Sequence, residues 1–191
     1  MRRRKRRIVG SANLWNAVLA AAWLCSAAFL ISPPARAQSD CKILRDAVDK
    51  LTTVPSHAYE TETNPARPGS DASSVEMIST GGAIYITMNG KWNKSPMSMA
   101  DMHAQEEENW KTAKNISCKH LRDDSVKGES ATVYSAHSET EDTKTDAQMW
   151  ISKSKGLLLR QEDDVDIGGG EKHHRSIRYD YANVQAPALS P

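Results

Sequence analysis

The chain has few aromatic residues and few cysteines. Its 191 residues include one Phe, five Trp, five Tyr and three Cys. The single Phe, Phe29, lies in an apolar segment near the start of the chain, so the remainder has no Phe at all. The supply of large apolar side chains for a core is therefore thin, and an additional covalent link would help to stabilise the fold.

The common enzyme motifs are also absent. The chain contains no G-x-S-x-G, no H-E-x-x-H, no phosphate-binding Gly-rich loop with Lys and no G-x-G-x-x-G. The adjacent His173 and His174 would point to opposite faces of a strand, so they are poorly placed to share one metal ion. The cluster of Asp163, Asp164 and Asp166 lacks the spaced ligands and the closing Glu of an EF-hand. We expect no catalytic activity, no cofactor and no metal site.

The amino-terminal segment has the three parts of an export signal. Residues 2–7 are all basic, residues 14–31 form an apolar run, and Ala35-Arg36-Ala37 is a small-x-small cleavage site. We interpret residues 1–37 as a cleaved signal peptide and expect a periplasmic protein that begins at Gln38. An uncleaved anchor is the alternative, because residues 12–32 are nearly long enough to span a bilayer. Pro33-Pro34, which ends the apolar segment just before the site, favours cleavage.

Removal of the signal changes the charge of the chain. Seven of the 25 basic residues and none of the 24 acidic residues precede Gln38, which leaves residues 38–191 with a net charge of −6. An acidic chain without a clustered basic face is a poor candidate for binding nucleic acid. The 154 remaining residues suit a single domain with one core.

Two cysteines, Cys41 and Cys118, follow the predicted signal. In an exported chain such a pair usually forms a disulfide, which we predict here. A redox or metal role is the alternative, but neither cysteine belongs to a C-x-x-C motif.

The hydrophobic pattern alternates between helical and extended periods. Apolar residues at helical spacing predict a helix over residues 40–52 and a second helix over residues 96–114. Alternating polarity and β-branched residues predict strands over residues 57–63, 74–80, 83–88, 116–122, 131–137, 147–152, 157–166 and 172–184. The turn signal Asn89-Gly90 predicts a hairpin, in which a return strand begins at residues 91–92.

Short links between successive strands predict an antiparallel meander, because parallel pairs would need long crossover connections. The expected fold class is α+β, with a curved antiparallel sheet, or half-barrel, of about eight strands and two helices on its concave face. Such a shape encloses an apolar cavity.

Three segments carry a resemblance to a known group of proteins. They are Gln-Met-Trp-Ile-Ser at residues 148–152, Gly-Leu-Leu-Leu-Arg-Gln-Glu at residues 156–162 and Arg-Tyr-Asp-Tyr-Ala-Asn-Val at residues 178–184. With the order of helices and strands, they resemble the periplasmic lipoprotein carriers and lipid-binding half-barrels of the LolA, LolB and LppX group. The resemblance implies a half-barrel over residues 38–191 and a role in binding or carrying a lipid, an acyl chain or another hydrophobic ligand.

Departures from that group keep other functions open. Carriers of acylated proteins line their cavities with aromatic residues, and this chain lacks Phe after the signal. We expect a monomer that binds an apolar ligand smaller than an acylated protein. The alternatives are a ligand-free structural or interaction module with an envelope protein as partner, and a Met-rich protein that binds Cu(I).

Residues 92–103 are the most suggestive stretch, because they combine Trp, several Met and a His. A Met-rich helix start could form an adaptable lid over an acyl chain. Core packing is the plainer interpretation, and Cu(I) binding by thioethers is a third. The candidate cavity or lid residues are Trp92, Met97, Met99, Met102, Trp110 and Trp150.

Overall fold

A computed structural model describes residues 35–64, 73–168 and 171–189, with side chains from Gln38 onward. The predicted signal peptide, residues 1–37, lies outside the described residues except for the backbone of its last three positions, so cleavage stays a prediction. Within the described ranges, no helix is both long enough and apolar enough to cross a bilayer.

Two helices and nine strands make up the described chain. The helices are α1 (Ala35–Leu51) and α2 (Met99–Thr112). The strands are β1 (Ser56–Thr63), β2 (Ser73–Thr80), β3 (Ala83–Met88), β4 (Lys91–Ser98), β5 (Lys114–Val126), β6 (Glu129–Glu139), β7 (Lys144–Ser152), β8 (Leu158–Asp166) and β9 (Lys172–Asp180).

All nine strands belong to one open antiparallel sheet with the order β4-β3-β2-β1-β9-β8-β7-β6-β5. The sheet consists of two meanders that meet where β1 pairs with β9, for example through Ala58 and Tyr179. Strands β4 and β5 form the two edges, and α2 connects them in the chain. The predicted α+β fold with a curved half-barrel sheet and helices on its concave face is confirmed.

The structure has nine strands rather than about eight because β4 continues to Ser98. Pro96, for which the helical spacing predicts a place in the second helix, lies in this strand instead. A proline cannot donate to a strand ladder, and β4 is an edge strand where that loss is tolerated. Helix α2 starts only after Ser98, whose side chain and that of Asp101 form a reciprocal capping box.

The sheet has two faces, distinguished by the alternation of side chains along each strand. On the helix face, Leu44 and Ala47 of α1 pack against Met149, Ile151 and Ile177 in the main apolar cluster. The outer face is the opposite one and carries a smaller cluster that includes Val133 and Trp150. Burial on the helix face explains the apolar stripe of α1.

Helix α1 is fixed to the sheet at both ends. A disulfide joins Cys41 to Cys118 of β5, with the two Cα atoms 5.1 Å apart, so the predicted pairing is confirmed. Next to it, the buried Asp40 accepts a hydrogen bond from the backbone N–H of His120 (3.1 Å). Toward the other end, the ammonium group of Lys50 donates to the carbonyl oxygens of Lys155 and Gly156. Helix α1 is therefore a rigid part of the scaffold.

Candidate functional site

Helix α2 is attached to the sheet much less firmly than α1. Of its 14 residues, all of them described, only Met99 is buried. The backbone N–H of Met99 donates to the carbonyl oxygen of Gly82 (3.2 Å), which fixes the start of the helix at the β2–β3 turn. The rest of α2 extends over the helix face with little apolar contact.

A groove of about 460 Å³ separates α2 from the sheet. Trp110 of α2 lines one side of it, and Ile116, Ala136 and Ala147 provide an apolar wall. These three small or branched residues also pack against the main apolar cluster, so the groove continues from the core. The groove is the best candidate for a ligand site on the helix face.

The floor of the groove is polar where it leaves the apolar wall. Asp163 of β8 and Arg175 of β9 lie opposite each other in the sheet, and both line the groove. The Arg175 guanidinium donates to Oδ2 of Asp163 from Nε (3.0 Å) and from Nη2 (2.6 Å). The Gln161 amide donates to both oxygens of the same carboxylate at 2.9 Å. Asp163 is only 1% exposed, so these contacts are what compensate its burial.

Burial changes the titration of the groups near this floor. It raises the pKa of the Glu60 carboxyl, although the nearby charge of Arg175 acts in the opposite direction. Burial alone would lower the pKa of Arg175, but the charges of Asp163 and Glu60 outweigh it and raise that pKa. Burial also raises the pKa of the Tyr179 hydroxyl. Arg175 is therefore a permanent cation in a mostly acidic surrounding.

The two helices meet through long polar side chains. Arg45 of α1 donates to Oε1 of Glu107 of α2 (2.6 Å), and its guanidinium lies 5.4 Å from the centre of the Trp110 ring. One turn away, Nε2 of His103 lies 3.3 Å from Oδ1 of Asp49. These contacts hold the middle of α2 above the groove without burying it.

The structure separates the residues that we proposed from the sequence. Trp110 is the one of the six that lines the groove. Met99 is buried at the start of α2, whereas Met102 is exposed and Met97 lies in β4 with 45% of its surface exposed. The three thioethers therefore belong to different environments.

Trp92 and Trp150 lie on the outer face. The rings of Trp92 and His57 pack in an edge-to-face arrangement, with centroids 5.9 Å apart. Trp150 is 4% exposed, lies beneath the Arg160 guanidinium and donates its indole N–H to Asp124 (2.9 Å). Neither side chain can contact a ligand bound beneath α2. The binding role of the six residues stays a prediction, and for these two it would require a second site.

The residues of the groove floor form no recognisable motif in the sequence. In the sequence, Asp163 belongs to an acidic cluster without the spacing of a calcium site, and Arg175 belongs to no motif. Their pairing depends on the register of β8 and β9, which no local pattern reveals.

No known protein family matches the chain, and no curated protein sequence does. Among solved structures, lipoprotein LppX of Mycobacterium tuberculosis is similar at 14% identity and a TM-score of 0.45, covering 81% of this chain and 99% of LppX. LprF of Mycobacterium bovis matches at 11% identity and 0.43, covering 82% and 97%. MucB, in its complex with MucA, matches at 14% and 0.43, covering 80% of this chain and 62% of MucB. The predicted distant resemblance to LppX is confirmed.

Proposed function

We propose that the protein is an exported, non-catalytic binding or carrier protein for a hydrophobic or amphiphilic small molecule, such as a lipid or an acyl chain. The ligand occupies the groove between α2 and the sheet. The observation that carries this proposal is the groove itself, which has an apolar wall continuous with the core and a charged floor.

The size of the groove suits a small molecule. Its volume of about 460 Å³ falls within the range of about 300–1,000 Å³ that is typical of ligand sites. Sites of this kind combine mainly apolar walls with a few polar groups that orient the ligand. Here five of the fifteen lining residues are apolar, Trp110, Ile116 and Ala147 among them, and ten are polar, with Arg175 as the orienting group. The groove therefore suits an amphiphilic ligand better than a purely apolar one.

This arrangement selects for a ligand with two unlike ends. An apolar tail would displace water from the wall, with a gain of roughly 25 cal/mol for each Å² buried. Arg175 keeps part of its guanidinium accessible and can donate hydrogen bonds to a polar head. A purely apolar ligand would leave Arg175 and Gln161 without water or a new partner, which costs free energy.

The weak attachment of α2 gives the ligand a way in. The helix is capped and anchored at Met99, but its remaining turns are held by the polar contacts at Arg45 and Asp49. Exposed ion pairs of this type contribute at most about 1 kcal/mol each. Displacement of α2 away from the sheet should therefore cost much less free energy than unfolding of the protein.

Native mass spectrometry of the protein purified from its own compartment tests the proposal. We expect a fraction with the added mass of a lipid or fatty acid. Ala147→Phe places a ring in the groove and should reduce that fraction, whereas Gln148→Phe, on the next residue of β7, places the ring on the exposed outer face and should not.

Two results would contradict the proposal. A wild-type protein that carries no added mass and takes up no fatty acid on incubation would favour the ligand-free interaction module. Equal retention by Ala147→Phe and wild type would show that the ligand binds outside the groove.

A further inference from the structure

The contact between the two helices contains a set of side chains with the chemistry of a metal site. Asp49 of α1 and His103 and Glu107 of α2 each offer a ligand atom, and these atoms all lie within 4.8 Å of one another. We propose that these three residues bind a divalent transition-metal ion, with Zn²⁺ as the best match, and that the ion joins α2 to α1.

The helices place the ligands by simple spacing. His103 and Glu107 are four residues apart, so they project from the same face of α2 one turn apart. Arg45 and Asp49 have the same spacing on α1 and meet Glu107 and His103, respectively. The side chains of the two helices therefore face each other in pairs. All three ligands lie on helices rather than on loops.

The donor set favours a borderline transition metal over a hard cation. Imidazole nitrogen and carboxylate oxygen are both ligands of Zn²⁺, which can complete a site of three protein ligands with a water molecule. Calcium and magnesium prefer oxygen ligands alone, which makes the imidazole unfavourable for them. Asp49 and Glu107 each bring a negative charge to the ion, although the guanidinium of Arg45 beside Glu107 offsets one of them.

A neighbouring residue supports one ligand from behind. Arg45 donates to Oε1 of Glu107 (2.6 Å), and a carboxylate can keep this bond through one oxygen while it binds a metal through the other. Hydrogen bonds to a ligand's second atom orient it and strengthen metal binding by roughly 10- to 100-fold. Arg45 is therefore a positioning residue for the site.

The site is open to solvent on one side. The exposed fractions of the side chains are 42% for His103, 48% for Asp49 and 34% for Glu107. An ion could thus enter without unfolding of either helix, and water would complete its coordination. Since α1 is fixed to the sheet by the disulfide, the ion would restrain α2 as well.

Titration of the metal-free protein with Zn²⁺, followed by calorimetry, tests the site, and Co²⁺ absorption reports the ligand set. We expect His103→Ala and Asp49→Asn to weaken Zn²⁺ binding by more than about tenfold, since even an outer partner contributes that much. The matched control is His174→Ala. His174 has the same 42% exposure as His103 and a similar partner, Asp164 at 2.8 Å, but lies on the outer face and should not affect binding.

Hydrogen exchange provides a second measurement. Zn²⁺ should slow amide exchange in α2 of the wild-type protein and of His174→Ala, but not of His103→Ala. No binding by the wild type, equal binding by both histidine variants, or loss of binding only in His174→Ala would each overturn the site. The metal site does not require a ligand in the groove, so Zn²⁺ binding without retained lipid would support the site and count against the proposed function.

Discussion

Arg175 and Asp163 lie directly opposite each other on β9 and β8, and two guanidinium nitrogens contact the same carboxylate oxygen at 3.0 and 2.6 Å. The carboxylate is buried, whereas the arginine reaches the groove. The pair therefore serves the stability of the sheet and supplies a charged group to the candidate site.

Replacement of Arg175 should destabilise the protein more than replacement of its partner. Arg175→Met leaves the Asp163 charge buried and should lower the free energy of unfolding by about 3–5 kcal/mol. Asp163→Asn should cost less, because the unpaired Arg175 can turn toward water. Arg178→Met is the control, since Arg178 lies on the outer face in contact with Asp180 and Tyr59 and should cost only about 1 kcal/mol. Urea denaturation measures all three, and equal losses for Arg175 and Arg178 would contradict the burial argument.

Removal of the disulfide should cause a large loss of stability. The Cys41–Cys118 bond closes a loop with a sequence separation of 77 residues. In the chain-entropy model, such a loop contributes about 4–5 kcal/mol. The Cys41→Ser/Cys118→Ser variant should therefore unfold at much lower denaturant concentration than the oxidised wild type. A midpoint that does not change would show that α1 is held by its apolar contacts alone.

His137 should titrate above the usual range of a histidine. Its hydrogen bond to Asp146 (2.7 Å) raises the pKa of the ring more than burial lowers it, and Glu139 adds to the increase. The stability from this pair is fully present below about pH 6.5, the unfolded-state pKa, and is lost as the pH rises through the higher folded-state pKa. NMR titration should show a midpoint above 6.5 that decreases in Asp146→Asn. A normal midpoint in the wild type would exclude the contact in solution.

The cap of α2 should control local stability at the groove. Ser98→Ala removes the acceptor for the Asp101 N–H and the hydroxyl that donates to the Asp101 carboxylate, which should cost about 1 kcal/mol, whereas the backbone N–H of residue 98 can still donate to that carboxylate. Hydrogen exchange should become faster in α2 and remain unchanged in α1. The control is Ser95→Ala, which also removes a hydroxyl in this region but lies outside the cap. Faster exchange in both helices would indicate general destabilisation instead.

Much of the fold could be predicted because its signals are local. The apolar positions of α1 repeat at helical spacing, and Asn89-Gly90 produces the β3–β4 hairpin with both residues at positive φ. The disulfide followed from the presence of two cysteines in a chain expected to be exported. In each case, a few neighbouring residues determine the structure.

The candidate site could not be predicted because it depends on contacts between distant residues. Trp150 is buried on the outer face, where Arg160 covers it, although Met149 beside it is buried on the helix face. Since both faces of β7 are covered here, alternation does not reveal which residue faces the groove. The groove floor depends likewise on the pairing of β8 with β9.

The junction between β1 and β9 places the first and the last strand of the described chain side by side in the middle of the sheet. Strand β9 begins more than 100 residues after the end of β1, so a chain that lacks β9 leaves one side of β1 without its partner strand. Contacts between such distant segments form slowly, since the chain must first close a long loop. We therefore expect the two meanders to associate last. Until then, the unpaired edge of β1 can bind chaperones or other copies of the chain.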